Sequence, residues 1–339
     1  MTYCNRFFFR PLLLLAFGWS MALPVHAQPP QGEFNPLIVY LSASNDSDRA
    51  FIDAARAGIE RAGRELDMDI PEQRIKESDD IATVLKQAAD SGASPIIAVG
   101  YQHVMPVLNL AERYPNTQFT VIDGLVPPLF PNVQSILFKD HEGAFLVGII
   151  AAKASRNGKV GFIGGMDIPL IRNFRHGFEQ GVHHVDPTIE LAVAMVGTGP
   201  EAWSNPKEAY QLAMRQYETG VDVIFAAAGG SGLGVLKAAH RAGTFAIGVD
   251  TNQNGLYPGH VLTSMVKRVD IAVYDTLKTS SEGKWNPGIK YLGIREGALD
   301  YAVDNNNRKL ISEELIEAVA MAKERIINGI LNVEMYSPK

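Results

Sequence analysis

The chain has 339 residues, 46% hydrophobic and 20% charged, with 31 basic against 37 acidic side chains, a formal charge of −6 and one cysteine. These values exclude a disordered chain, a collagen-like repeat and a disulfide scaffold, and the length suffices for one large core or two medium ones. The acidic balance gives no electrostatic ground for a nucleic-acid partner, which needs a basic face toward the phosphates.

Residues 1–27 read as a cleavable secretory signal. Arg6 and Arg10 form a basic start, Leu12 to Leu23 is almost wholly apolar, and Val25-His26-Ala27 places small residues where a signal peptidase cuts. The apolar run is shorter than the ~20 residues a membrane-spanning helix needs, so cleavage is favoured over an uncleaved anchor. Cys4 precedes that run and is not placed to carry a lipid after it, so the expectation is a periplasmic protein, not a lipoprotein, with no stable membrane anchor after cleavage. Cleavage leaves 312 residues, a charge of −8 and no thiol, so stability must come from core size rather than disulfides.

Residues 28–36 hold three prolines and a glycine and read as a flexible lead-in. From Leu37 onward, β-rich runs alternate with helical ones. Strands are expected at 37–41, 95–99, 118–122, 133–138, 159–163, 189–196, 221–226, 244–249, 261–266 and 290–294. Several are apolar throughout, the mark of strands covered on both faces in a parallel sheet flanked by helices.

Between them, Ile52, Ala55, Ile59, Ala62 and Leu66 follow the three-four spacing of one helix face, and Ser78-Asp79-Asp80 supplies a helix cap. Asn205-Pro206 opens another helix, with proline at its first position. Ten strands exceed one comfortable sheet, so the fold class is α/β with two doubly wound parallel-sheet lobes. The expected N-terminal lobe is 37–138 plus 266–289, and the C-terminal lobe 139–265 plus 290–339. Such a chain crosses between lobes several times, making a hinge, with a ligand cleft beyond the carboxyl ends of the strands.

The run Gly229-Gly230-Ser231-Gly232-Leu233-Gly234 joins a strand to a helix. Its glycines miss the dinucleotide spacing, no lysine follows to make a phosphate loop, and Leu233 spoils a nucleophile elbow. It reads as a tight turn whose amides, Gly230 among them, can face a ligand. His183-His184 has no metal-ligand spacing around it, and no nucleophile, base and orienting acid can be singled out. Neither cofactor, metal nor catalysis is therefore expected, and weight moves to binding.

Asp123, Asp250 and Lys267 stand at expected strand ends, and Asp48 lies in the loop after the first strand. A carboxylate there can accept two bonds from adjacent sugar hydroxyls. Helix capping is an equal reading for Asp48, whereas Asp250 is followed by loop, which favours binding. Phe51 and Trp203 fall on opposite lobes, and two aromatic faces closing together would hold a flat ring. An aromatic one turn into an amphipathic helix is more often core, so Phe51 taken alone is weak evidence.

Residues 160–169 (Val160-Gly161-Phe162-Ile163-Gly164-Gly165-Met166-Asp167-Ile168-Pro169), then Phe174, Gly177-Phe178 and Gly181, resemble the basic membrane protein (BMP) family of ABC-transporter substrate-binding proteins, which includes purine-nucleoside receptors. The likeness continues through His141-Glu142-Gly143-Ala144-Phe145-Leu146, Ala228-Gly229-Gly230-Ser231-Gly232, Ile247-Gly248-Val249-Asp250 and Thr263 to Val269.

The resemblance implies a type I periplasmic binding fold that presents a nucleoside-like ligand to an inner-membrane ABC permease. It implies ribose-binding positions at Asp250 and Lys267, and base-stacking positions at Trp203, where phenylalanine is usual, and at Phe51. Asp48-Arg49-Ala50-Phe51 is similar to the family's D-[KR]-[SA]-F. Ser42, Ala43 and Ile52 depart from the nucleoside-receptor pattern, so the base side is altered. Alternatives are a sensor that reports to a membrane partner, a binder of riboflavin or a sugar, and a nucleoside hydrolase.

Overall fold

The computed structural model describes residues 1–2, 33–42, 46–76 and 78–337, with the backbone alone for 46–50. The expected signal beyond residue 2, most of the lead-in and Ala43 lie outside the described residues.

In chain order the strands are β1 (Leu37–Leu41), β2 (Glu72–Ile75), β3 (Ile96–Val99), β4 (Phe119–Ile122), β5 (Val133–Phe138), β6 (Lys159–Met166), β7 (Glu190–Gly197), β8 (Val223–Ala227), β9 (Phe245–Asp250), β10 (Val261–Lys267), β11 (Gly288–Leu292) and β12 (Leu299–Tyr301). The helices are α1 (Asp46–Leu66), α2 (Ile81–Asp90), α3 (Val104–Ala111), α4 (Asp140–Ala154), α5 (Pro169–Val185), α6 (Pro206–Glu218), α7 (Gly232–Ala242), α8 (Val269–Ser281) and α9 (Glu313–Ile327).

All ten expected strands are present, and two more were not anticipated. β2 reads Glu-Gln-Arg-Ile with only Ile75 buried, and β12 is three residues long. Both are sheet edges, where one neighbour and a solvated face leave no apolar run to read.

The strands form two six-stranded sheets, ordered β11-β5-β4-β3-β1-β2 and β12-β10-β9-β8-β6-β7. Every pairing is parallel except β10 with β12. Parallel strands need helical crossovers, and these cover both faces of each sheet. The helix signals also hold. Asp80 caps α2 by accepting from the Thr83 amide, and Asn205 caps α6 by accepting from the Glu208 amide with Pro206 at the first position. Ala55, Ile59 and Ala62 are the buried face of α1, which packs on α8 in the first lobe.

One large buried cluster runs from Ile38 and Tyr40 of the first sheet through α4 to Phe225 and Val249 of the second. Residues 140–152 of α4 are buried without a break, so this helix is a shared spine rather than a surface cover. It lies so close to α5 that a side chain on Gly181 would fall 2.1 Å from the Phe145 carbonyl, and one on Gly148 would fall 2.4 Å from that of Phe178. Glycine is needed there because backbone meets backbone.

Candidate ligand-binding cleft

The carboxyl ends of the central strands bring charged groups of both sheets together. Asp123 follows β4 and Asp250 ends β9, with φ of 62° and 66°. Asp tolerates this left-handed region better than most residues, and the turn it makes re-aims the carboxylate from the sheet toward its end. Lys267 ends β10, and Asp140 opens α4 where the chain leaves β5.

The Lys267 ammonium contacts Asp123 at 3.0 and 3.2 Å, Asp140 at 3.1 Å and Asp250 at 4.0 Å. It also lies 5.2 Å from the centre of the Phe138 ring and 5.1 Å from that of Phe174. Because Asp123 follows a strand of the first sheet and Lys267 and Asp250 end strands of the second, this ion cluster ties the two lobes at the carboxyl ends of their strands. Lys267 and Asp140 are shut away from water, while the Asp123 and Asp250 side chains are 12% and 20% exposed.

One ammonium faces three carboxylates, and the groups respond differently. Burial alone would pull the Lys267 pKa down, but Asp123, Asp140 and Asp250 hold it above the ordinary lysine value. Burial pushes the Asp140 carboxyl up to about 8, only partly offset by Lys267 and reinforced by the charges of Asp123 and Asp250. Neither Asp140 oxygen is in a well-aligned hydrogen bond, so the ammonium at 3.1 Å acts as a nearby charge.

The aromatic side of the cleft is built on small residues. Trp203 lies in a short 3-10 turn, Pro200–Trp203, after β7. Its ring covers Gly165 of β6, where an added Cβ would fall 2.4 Å from the indole, and it also approaches Gly229. Ser231 fastens this turn to the glycine-rich one, since its hydroxyl donates to the Ala202 carbonyl and accepts from the Asn205 amide, both at 2.7 Å. Gly230 is buried within that second turn, Gly229–Ser231, which α1 approaches from the first lobe.

Phe51 is half-buried near the start of α1 and packs on the large core cluster, as does Ile52 beside it. Ser42 is exposed, and its amide donates to the Ile75 carbonyl. Asp48 is placed by its backbone in the first turns of α1, and its side chain lies outside the described residues.

Two neighbours of the site escaped sequence reading. Asp140 sits in a stretch that reads as a crossing between lobes, and only the packing of α4 buries it among charges. Tyr101 follows β3, and its hydroxyl accepts from the Trp203 indole N–H at 3.2 Å across the cleft. The glycine before it, Gly100, was the available signal of a sharp exit from the strand. Among the described residues no three His, Cys, Asp or Glu side chains are grouped to hold a metal ion.

A family profile described as ABC transporter substrate-binding protein PnrA-like matches residues 36–336. A CD4+ T-cell-stimulating antigen of Listeria monocytogenes is 31% identical over 309 residues, covering 84% of each chain. An uncharacterized lipoprotein of Pyrococcus horikoshii is 29% identical over 281 residues, 80% of this chain and 69% of its own. The crystal structure of an ABC transporter system solute-binding protein from Aeropyrum pernix superposes with a TM-score of 0.77 at 26% identity, covering 90% of this chain and 94% of the other. The two parallel-sheet lobes are those of the type I periplasmic binding fold.

These relatives correct one expectation. The sequence reads as that of a periplasmic protein that is not a lipoprotein, but the Pyrococcus horikoshii relative and two others from the same genus are named lipoproteins. The ground for that reading was the position of Cys4 ahead of the apolar run, in a segment outside the described residues. A rule resting on one cysteine does not outweigh relatives that share most of the chain.

Proposed function

Because the chain belongs to the Bmp family of PnrA-like ABC-transporter substrate-binding proteins, we propose that it is the solute-binding component of an importer and takes a nucleoside-like ligand between its lobes. The observation that carries this reading is the meeting, at one end of both sheets, of partly exposed carboxylates with an indole laid over Gly165, where no side chain intervenes.

Asp250, with Asp123 nearby, accepts hydrogen bonds from the hydroxyls of a sugar-like moiety. Lys267 holds these carboxylates in place while contributing its own positive charge from beneath. Trp203 stacks on the flat ring and Phe51 closes on it from the first lobe, base–aromatic contact being worth roughly 1–3 kcal/mol. The amide of Gly230 lines the same wall, and Asp48 offers a further carboxylate from the start of α1 on the first lobe. Ligand contacts drawn from both lobes favour the closed form, which the membrane permease then recognises. Neither nucleic acid nor a cofactor takes part.

The site binds without turnover. Ser231, the hydroxyl nearest the glycine-rich turn, has its oxygen occupied by the Asn205 amide and its proton by the Ala202 carbonyl, leaving no activated nucleophile. A nucleoside recovered unchanged after long incubation supports this, and released free base refutes it.

Calorimetry of the chain without residues 1–27 against nucleosides, free bases, riboflavin and simple sugars tests the ligand. Saturable binding of a nucleoside, and weaker binding of its free base, is expected. A ligand set confined to simple sugars or riboflavin overturns the nucleoside reading. A sensor role is distinguished by the partner: capture of a permease supports import, and capture of a membrane kinase supports sensing.

A further inference from the structure

Tyr101 is mounted on a stiff support. Gly100 has φ of 111°, which turns the chain sharply out of β3, and the buried His103 ring holds the turn by donating from Nδ1 to the Gly100 carbonyl at 3.0 Å. Gly124 closes the other side, since a Cβ there would fall 3.0 Å from the Tyr101 Cα. Tyr101 is 39% exposed and takes little part in the core. From the opposite lobe Trp203 is equally constrained, with its ring over Gly165 and its turn stapled by Ser231.

The two rings meet with centroids 6.3 Å apart and planes tilted by 53°, and the indole N–H donates to the tyrosine hydroxyl. The residues are 102 positions apart in sequence and stand on different sheets. An indole N–H has one hydrogen and hence one bond to make, so its partner fixes the rotation of the ring about its turn. In this arrangement, with the lobes together, that partner is in reach.

We infer that Tyr101 is a positioning residue for Trp203, orienting the indole from across the cleft so that the stacking wall is completed only as the lobes close. Lobe closure and formation of the ring-binding face become one event, and opening releases both. This rests on the cleft being the ligand site and is independent of the ligand's being a nucleoside.

The test uses the 312-residue chain and three variants, Tyr101→Phe, Trp203→Phe and the double substitution. Tyr101→Phe keeps the ring and removes the acceptor. Trp203 and the buried Trp285 are the two emitters, and Trp285 donates to Thr120 far from the change. The bond is made with the lobes together, as the structure has them, so acrylamide quenching with no added ligand is expected to reach Trp203 more readily in Tyr101→Phe, which loses that bond, than in the wild type. With inosine as probe, its release measured by stopped flow is expected to quicken roughly two- to tenfold, the loss of one hydrogen bond. In the Trp203→Phe background the same substitution is expected to have no further effect, because the donor is gone.

Wild-type quenching in Tyr101→Phe overturns the inference, as does a release effect that persists without Trp203. If the wild type does not bind inosine, the nucleoside reading is what fails, and the quenching comparison alone decides the role of Tyr101.

Discussion

Asp140→Asn is expected to stabilise the protein, and by more as the pH rises. The wild-type carboxyl has an ordinary value of 3.8 in the unfolded chain and is pushed to about 8 by burial in the fold. A folded-state value raised in this way means that the native state binds the proton more tightly, so the group's contribution is fully present below 3.8 and is lost as pH rises toward 8. At about 1.4 kcal/mol per pH unit, the loss at pH 7 is on the order of a few kcal/mol. Asparagine has the shape of the neutral acid and never ionises, so it escapes this loss. Both proteins share every other titrating group, and the difference between them isolates Asp140. Urea unfolding at pH 4.5, 6, 7 and 8.5 is the assay, with m checked for constancy. The gain is expected to be near zero at the lowest pH and to reach about 2–4 kcal/mol at pH 7, the lower figure allowing for the Lys267 contact that the amide makes less well. A gain that does not grow with pH refutes the reasoning. So does a uniform loss of about 3–5 kcal/mol, which would mean that Asp140 is ionised and that its pairing with Lys267 supports the fold.

Acid should unfold the protein through two buried imidazoles. His103 and His141 are both lowered by burial to about 4, and in each the unfolded chain binds the proton first. Their contribution is therefore intact above 6.5 and lost as pH falls toward 4, by roughly 2–3 kcal/mol each at pH 4.5, visible as a falling melting temperature. An unchanged melting temperature between pH 7 and 4.5 would contradict it. Gly181→Ala should cost at least 1–3 kcal/mol in thermal unfolding, since its methyl meets the Phe145 carbonyl at 2.1 Å and two helices must part. Gly165→Ala displaces the indole of Trp203 rather than backbone, so it should weaken binding of flat-ring ligands in calorimetry while leaving the melting temperature within a few degrees. Asp250→Asn retains a residue suited to φ of 66° and removes the charge, so ligand affinity should fall by about 1–2 kcal/mol with no change in stability of similar size. Wild-type affinity in that variant would move the hydroxyl-binding role elsewhere.

The strands and helices were legible because each buries a periodic or continuous apolar face, and β1 and β5 coincide with the expected 37–41 and 133–138 to the residue. The edge strands β2 and β12 were not, because half of their environment is water and their residues carry no apolar signature. At the site, Asp123, Asp250 and Lys267 were found by their place after apolar runs, and Trp203 by its lack of any helical face to serve. What spacing did not show is that Lys267 is almost wholly buried and shared among three carboxylates. Asp140 falls where the chain crosses between lobes, and no local pattern marks Tyr101.

Sequence by itself determined the class of fold, two parallel α/β lobes with several crossings, since local periodicity and turn chemistry act along the chain. It also carried the family likeness, whose glycines mark the close contact of α4 with α5. Tertiary structure alone decided which charges share one buried site and which rings touch across the cleft. Charge strength depends on desolvation and on neighbours brought from residues 123, 140, 250 and 267, and an indole finds its acceptor 102 residues away. No local pattern encodes such distances, because they exist only once both lobes have folded and met.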